Sequence, residues 1–191
     1  MPTMVRRLVV GLGNPGARYA TTRHNVGFMV ADELASASKA GPWTIRCRSM
    51  VCDAMIDGRV VVLAKPLTYM NLSGHAVQLL LEECGCAPPA LILILDDLNL
   101  PFGRVRVRRR GSAGGHHGLE SVIDTIGSEE IIRVRLGIGE EEAPADKAGF
   151  VLSGFPAAGG QELTEMIRRA AEAVRIIVCE GVDRAMSVCN A

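Results

Sequence analysis

RLVVGLGNPGARYATTRHNVGF, residues 7–28, is the stretch on which the fold turns. A short apolar run, Arg7 to Val10, ends in a glycine-rich turn, and apolar residues then recur at Val26, Met29, Val30, Leu34 and Ala37 with helical spacing. This is strand, turn, helix. Gly11, Gly13 and Gly16 also match G-x-G-x-x-G, and Asp32 lies near the position of a Rossmann ribose acid. That match is superficial. In a dinucleotide fold the acid ends a second strand, whereas Asp32 falls inside the helical pattern, and Asn14-Pro15-Gly16 forms a tight turn several residues before the helix. A nicotinamide or flavin dehydrogenase is therefore disfavoured, and no cofactor is expected.

Strand and helix signals keep alternating to the end of the chain. Thr44 to Ile56 and Val60 to Ala64 read as two strands joined across Asp57-Gly58, a hairpin signal. Ser73 is the expected N-cap of a helix with Val77, Leu80, Leu81 and Cys84 on one side and Gly85 as its stop. Leu91 to Leu95 is an unbroken apolar run, suited to a central strand covered on both faces, and it delivers Asp96 and Asp97 at its carboxyl end. Leu119, Val122, Ile123 and Ile126 mark a short helix, Ile131 to Ile138 a strand, and Leu163 to Ile177 an amphipathic helix closed by Gly181. The expected fold is one α/β domain over residues 1–191, a twisted mixed β-sheet flanked by helices on both faces.

Composition agrees and excludes several function classes. The 191 residues are 48% hydrophobic and 22% charged, a globular balance, and a chain of this length buries enough surface to need neither disulfides nor a structural metal. The six cysteines show no zinc-knuckle spacing and read as free thiols, with Cys47 and Cys52 in an alternating strand pattern. No apolar run approaches the ~18 residues of a membrane span, and the opening MPTMVRRLVVGLG lacks the core of a secretory signal, so a cytoplasmic protein is expected. Twenty-one basic residues balance 21 acidic ones, which argues against indiscriminate nucleic-acid binding but not against a local patch. Glu140 to Glu142 reads as a solvated loop.

Such a patch is visible. Five arginines and no acid lie between Arg104 and Arg110. Alternation places Val105 and Val107 toward the core and Arg104, Arg106 and Arg108 on the opposite face, about 7 Å apart, a spacing comparable with that of backbone phosphates. The bland alternative is an edge strand protected by charge. Histidine is the side chain that most readily exchanges protons near neutrality, and only four occur. His24 precedes the first helix, whose positive end favours the neutral base. Asp96, at the end of the apolar strand, could orient one ring nitrogen while the other takes a proton from water. Taken alone, His24 reads more readily as a helix-capping residue.

Five segments in order resemble bacterial peptidyl-tRNA hydrolases: GLGNPGARYATTRHNVGF at 11–28, KPLTYMNLSG at 65–74, DDLNLPFGRVRVRRRGSAGGHHGLES at 96–121, RVRLGIG at 133–139 and GFVLSGF at 149–155. The resemblance implies a monomeric, metal-independent hydrolase that cleaves the ester between a peptide and the 3' end of tRNA. It assigns His24 as catalytic base and Asp96 as its partner, places Asn14, Tyr19, Met70, Asn71 and His117 against the substrate, and puts tRNA on Arg106, Arg108 and Arg135. His117 departs from the family, whose usual pattern GGHNGL has asparagine there, and an imidazole cannot offer an amide's donor and acceptor together. A relative that binds RNA without turning it over is the alternative, and the retained Asn14, His24 and Asp96 weigh against it.

Overall fold

Leu8, Val9 and Val10 are wholly buried although consecutive strand residues point to opposite faces, so the strand they form must be covered twice. The computed structural model describes residues 6–140 and 144–191. Val9 joins one apolar core and Leu8 and Val10 another, on the two sides of one sheet. Each such side chain contributes about 1.5–3 kcal/mol on burial.

The strands are β1 (Arg7–Gly11), β2 (Thr44–Arg46), β3 (Ser49–Ile56), β4 (Arg59–Pro66), β5 (Leu91–Pro101), β6 (Val105–Arg108) and β7 (Ile132–Gly139), ordered β2-β3-β4-β1-β5-β7-β6. β4, β1, β5 and β7 run parallel, and β2, β3 and β6 add antiparallel pairings at the two edges. The helices are α1 (Val26–Ala37), α2 (Ser73–Cys84), α3 (His117–Ile126), α4 (Lys147–Val151), α5 (Gly160–Glu180) and α6 (Val182–Cys189). Residues of α1, α5 and α6 pack in the core that holds Val9, and those of α2 and α3 in the core that holds Leu8. The mixed sheet with helices on both faces is as expected. Among the described residues no helix is long and apolar enough to cross a membrane.

Three local expectations are corrected. Thr44 to Ile56 is two strands, because Cys47 and Arg48 both adopt positive φ (48° and 53°) and turn the chain back on itself. Cys47 therefore sits in a turn. Nothing in its residue types announces this turn, unlike Asp57-Gly58, where the expected hairpin forms. Ser73 is the first helical residue, not the cap, and its hydroxyl donates to the Met70 carbonyl at 2.8 Å. The long C-terminal helix ends at Gly181 (φ 95°) as expected, and a further short helix, α6, follows it.

The glycines of the first turn also acquire a physical role. A Cβ on Gly11 would collide with the Gly27 carbonyl oxygen, and one on Gly27 would lie 2.5 Å from the carbonyls of Leu12 and Ile94. Helix α1 thus crosses β1 and β5 at backbone contact, which fixes the residues just before it against the strand ends. Asp32 is committed elsewhere, with one oxygen 2.5 Å from Lys65 Nζ.

β6 is an edge strand, yet its backbone is not free. The Asn190 amide accepts from Val107 N–H and donates to Val107 C=O, both at 2.9 Å, imitating one residue of a neighbouring strand. Asn190→Ala is expected to lower unfolding free energy by about 1–2 kcal/mol, the net worth of two such bonds. Urea unfolding measures this, and an unchanged midpoint would show that the cap is not stabilising.

Candidate active site

The end of one strand and the starts of two helices meet at one buried carboxylate. β5 carries Asp96 to its carboxyl end, where α/β folds place their ligands. A single 3-10 turn, Arg23–Asn25, carries His24 into α1, and His116 is the N-cap of α3. His24 Nδ1 lies 2.8 and 2.9 Å from the two Asp96 oxygens, and His116 Nε2 lies 2.9 Å from Oδ1. The two rings stand 5.1 Å apart.

The bonding pattern assigns the protons. His116 Nδ1 accepts from the Leu119 backbone N–H at 3.2 Å, so the proton of a neutral ring is on Nε2 and points at Asp96. His24 Nδ1, facing both carboxylate oxygens, is likewise the protonated nitrogen. Its Nε2 is left with the lone pair a base requires. Burial alone would raise the pKa of Asp96, but the imidazoles of His116 and then His24 outweigh it and hold the carboxyl well below the ordinary carboxylate range. Asp96 is therefore an anion accepting from both rings.

His24, Asp96 and His116 also present metal-ligating atoms within 4.8 Å of one another. The geometry fits shared protons better than an ion. With Nδ1 of His116 already accepting from Leu119, a neutral ring has its only N–H on Nε2 and no lone pair there for a metal.

Asn14 is buried and completes the floor of the site. Its Oδ1 accepts from the Met70 backbone N–H at 2.8 Å, which fixes the amide so that Nδ2, without a hydrogen-bond partner among the described residues, remains a donor. The Asn25 side chain holds the Asn14 backbone in turn, accepting from its N–H and donating to its C=O, both at 2.9 Å. Met70 is buried, and its sulfur occupies the space that a Cβ on Gly118 would need, so that glycine lets α3 close over it. Asn14, His24, Met70 and Asp96 are thus brought together.

The other sequence-derived candidates lie outside this hydrogen-bonded group. Asn71 is exposed beside Met70. Tyr19 is half-buried with the Arg18 guanidinium 4.5 Å over its ring. His117 is exposed at the first position of α3, and its ring faces Glu120, at 3.4 Å. His116 is the functional candidate that residue-type reasoning passed over, since histidine is not among the usual N-caps.

The arginine strip is compensated in part. Arg109 pairs with Asp183 and Arg110 with Glu130, so the run that is free of acids in sequence is not free of them in space. Val105 and Val107 face the core as expected, which leaves Arg106 and Arg108 on the outer face of β6, with no ion pair among the described residues. Arg106 stands opposite Arg135 of β7, an unfavourable like-charge pairing that Asp97 relieves by binding Arg135. Arg135 is in register with Leu95, one residue before Asp96, so the basic strip begins about 5 Å, one strand spacing, from the strand that carries the carboxylate.

Residues 8–191 match the family model described as peptidyl-tRNA hydrolase. The peptidyl-tRNA hydrolase of Aquifex aeolicus is 46% identical over 185 residues, covering 96% of each chain. That of Desulforudis audaxviator is 47% identical over 184 residues, covering 96% of this chain and 93% of its own. The crystal structure of the Acinetobacter baumannii peptidyl-tRNA hydrolase superposes with a TM-score of 0.90 at 33% identity, covering 100% of this chain and 97% of that one. With matches that run nearly end to end in both sequence and structure, the chain belongs to the peptidyl-tRNA hydrolase family.

Proposed function

We propose that this chain cleaves the ester between a peptide, or an N-blocked aminoacyl group, and the 3' end of tRNA, with His24 as general base. The observation that carries the reading is the bond of His24 Nδ1 to an ionised Asp96, which leaves Nε2 to accept a proton. Water gives that proton to Nε2 and attacks the ester carbonyl carbon. The oxyanion that forms is met by the free N–H of Asn14. When the carbon–oxygen bond to the ribose breaks, the imidazolium returns its proton to the departing 3' oxygen, and no cofactor is consumed. Asp96 holds the ring in the productive tautomer and stabilises its cation, a division of labour also found in serine-hydrolase triads. Met70, Asn71 and Tyr19 are proposed to contact the peptide and ester end. The enzyme would work as a monomer in the cytoplasm, where its substrate arises. Release of the acyl group from N-blocked aminoacyl-tRNA tests the activity, and a rate no higher than spontaneous hydrolysis would contradict it.

Arg106, Arg108 and Arg135 are proposed to hold the tRNA backbone. In a protein with no net charge, binding through so local a strip should be modest and strongly salt-dependent. Replacing Arg106 and Arg108 with alanine is expected to raise KM and reduce the slope of log affinity against log salt by about one unit for each phosphate that is no longer neutralised. Equal slopes for the variant and the wild type would put the tRNA elsewhere.

His117 is proposed to touch substrate from the rim, since its ring has no bond to His24 or Asp96. His117→Asn is expected to keep kcat within about threefold and change mainly KM, the signature of altered uniform binding. It should also remove any pH dependence of KM that follows imidazole titration. A collapse of kcat would show that the imidazole takes part in the chemistry.

A further inference from the structure

Arg23 lies immediately before His24 and is buried, an unusual position for a guanidinium that needs a reason. Its Nη1 donates to Ser153 Oγ and to the Gly154 carbonyl, both at 2.5 Å, and its Nη2 reaches Glu140 at 3.2 Å. The guanidinium carbon lies 4.2 Å from the Phe150 ring centroid and 5.7 Å from that of Phe155. Backbone contacts reinforce this attachment: Arg23 N–H donates to Ser153 C=O at 3.0 Å, and Thr22 forms a β-bridge with Gly154. The first residue of the acidic run is thus engaged through Arg23, whereas Glu141 and Glu142 lie outside the described residues.

We infer that Arg23 is a positioning residue for His24, clamping the 150–155 segment to the turn that presents the base. The three residues of that turn are each tied to a different part of the molecule. Arg23 is tied to α4 and the residues after it, His24 to Asp96 on β5, and Asn25 to Asn14 after β1. A turn of three residues has little internal freedom, so loosening its first member moves the second. Five N–H donors in a rigid plane can bond two oxygens and stack between rings at once, and lysine cannot reproduce this. Displacements near 1 Å at a catalytic group cost about 10²-fold in rate. The clamp therefore acts on kcat and leaves tRNA affinity alone.

This inference rests on His24 being the base, and the experiment separates the two. Arg23→Ala, Arg23→Lys and His24→Ala are compared with wild type for kcat, KM and the imidazole ¹⁵N and Nδ1–H signals of His24. Arg23→Ala is expected to lose about 10- to 10²-fold in kcat with KM within about twofold. It should also weaken the downfield Nδ1–H signal that reports the bond to Asp96, and Arg23→Lys should recover only part of either. Should Arg23→Ala fail to fold, Ser153→Ala combined with Phe150→Leu loosens the clamp from its other side, with the same expected signs. Unchanged kcat and Nδ1–H signal, with faster amide exchange at residues 153–155, would overturn the clamp while a dead His24→Ala upheld the base. A rise in KM alone would make Arg23 a substrate contact and overturn the inference. An active His24→Ala enzyme would remove the base and the inference together.

Discussion

His24→Ala is expected to lower kcat for N-blocked aminoacyl-tRNA by about 10²- to 10⁴-fold, the usual cost of removing a general base, while tRNA affinity stays within about twofold. The asymmetry follows from where things lie. His24 is bonded to Asp96 inside the site, whereas the arginines proposed to hold the polynucleotide begin on the neighbouring strand and run outward to the edge. The void left by the ring opens to solvent, since the His24 side chain is 11% exposed, so the fold should tolerate it. Single-turnover ester release and filter binding of tRNA measure the two quantities separately. Loss of both in proportion would mean that the substitution had damaged the fold, and retention of both would remove His24 from the chemistry.

The second large effect is expected at Asp96. Asp96→Asn replaces one of two accepting oxygens with an N–H donor. If the amide oxygen takes the place of Oδ1 it can still accept from both rings, but the amide nitrogen then faces His24 Nδ1, which in the wild type lies 2.9 Å from Oδ2. Two donors cannot share that distance, so His24 must turn away or move its proton to Nε2. Turning away swings the Nε2 lone pair out of line with the attacking water, and moving the proton removes it. We expect kcat to fall by about 10²-fold or more with KM little changed. Stability should respond as well. Because the folded-state pKa of Asp96 is lowered, its ionised form stabilises the protein above about pH 4 and that contribution fades as pH falls toward the depressed value, a dependence the asparagine variant should lack. Urea midpoints of the two proteins between pH 7 and pH 3 measure it. Wild-type turnover in Asp96→Asn would break the proposed pair.

Much of this architecture is legible in residue types, and the exceptions have identifiable physical causes. Leu91 to Leu95 is unbroken because β5 is covered on both faces, and the same run identifies a central strand with Asp96 at its crevice end from residue types alone. The valines of β6 alternate inward because one face packs and the other meets solvent. Turn chemistry is readable at Asp57-Gly58 and unreadable at Cys47-Arg48, where tertiary contacts hold two ordinary residues at positive φ. His24 and Asp96 can be named because their residue types suit proton transfer and their positions match the family. Their juxtaposition, 72 residues apart in the chain, arises only when β1 and β5 pair. His116 escapes for a related reason. Its use depends on Leu119 fixing one ring nitrogen and Asp96 taking the other, and no local pattern encodes a bond made 20 residues away. The acids that neutralise Arg109 and Arg110 are likewise hidden from the local pattern, because they come from α6 and the approach to β7.

Catalysis as described requires His24 Nε2 to be the atom that takes the proton from water. A parallel titration tests this most directly, following the ¹⁵N shifts of the His24 ring by NMR and kcat/KM for N-blocked aminoacyl-tRNA over the same range of pH. One shared midpoint is predicted, with activity lost as Nε2 gains a proton and with Nδ1 protonated on both sides of it. Full activity at a pH where Nε2 is already protonated, or a neutral ring whose proton sits on Nε2, would contradict it.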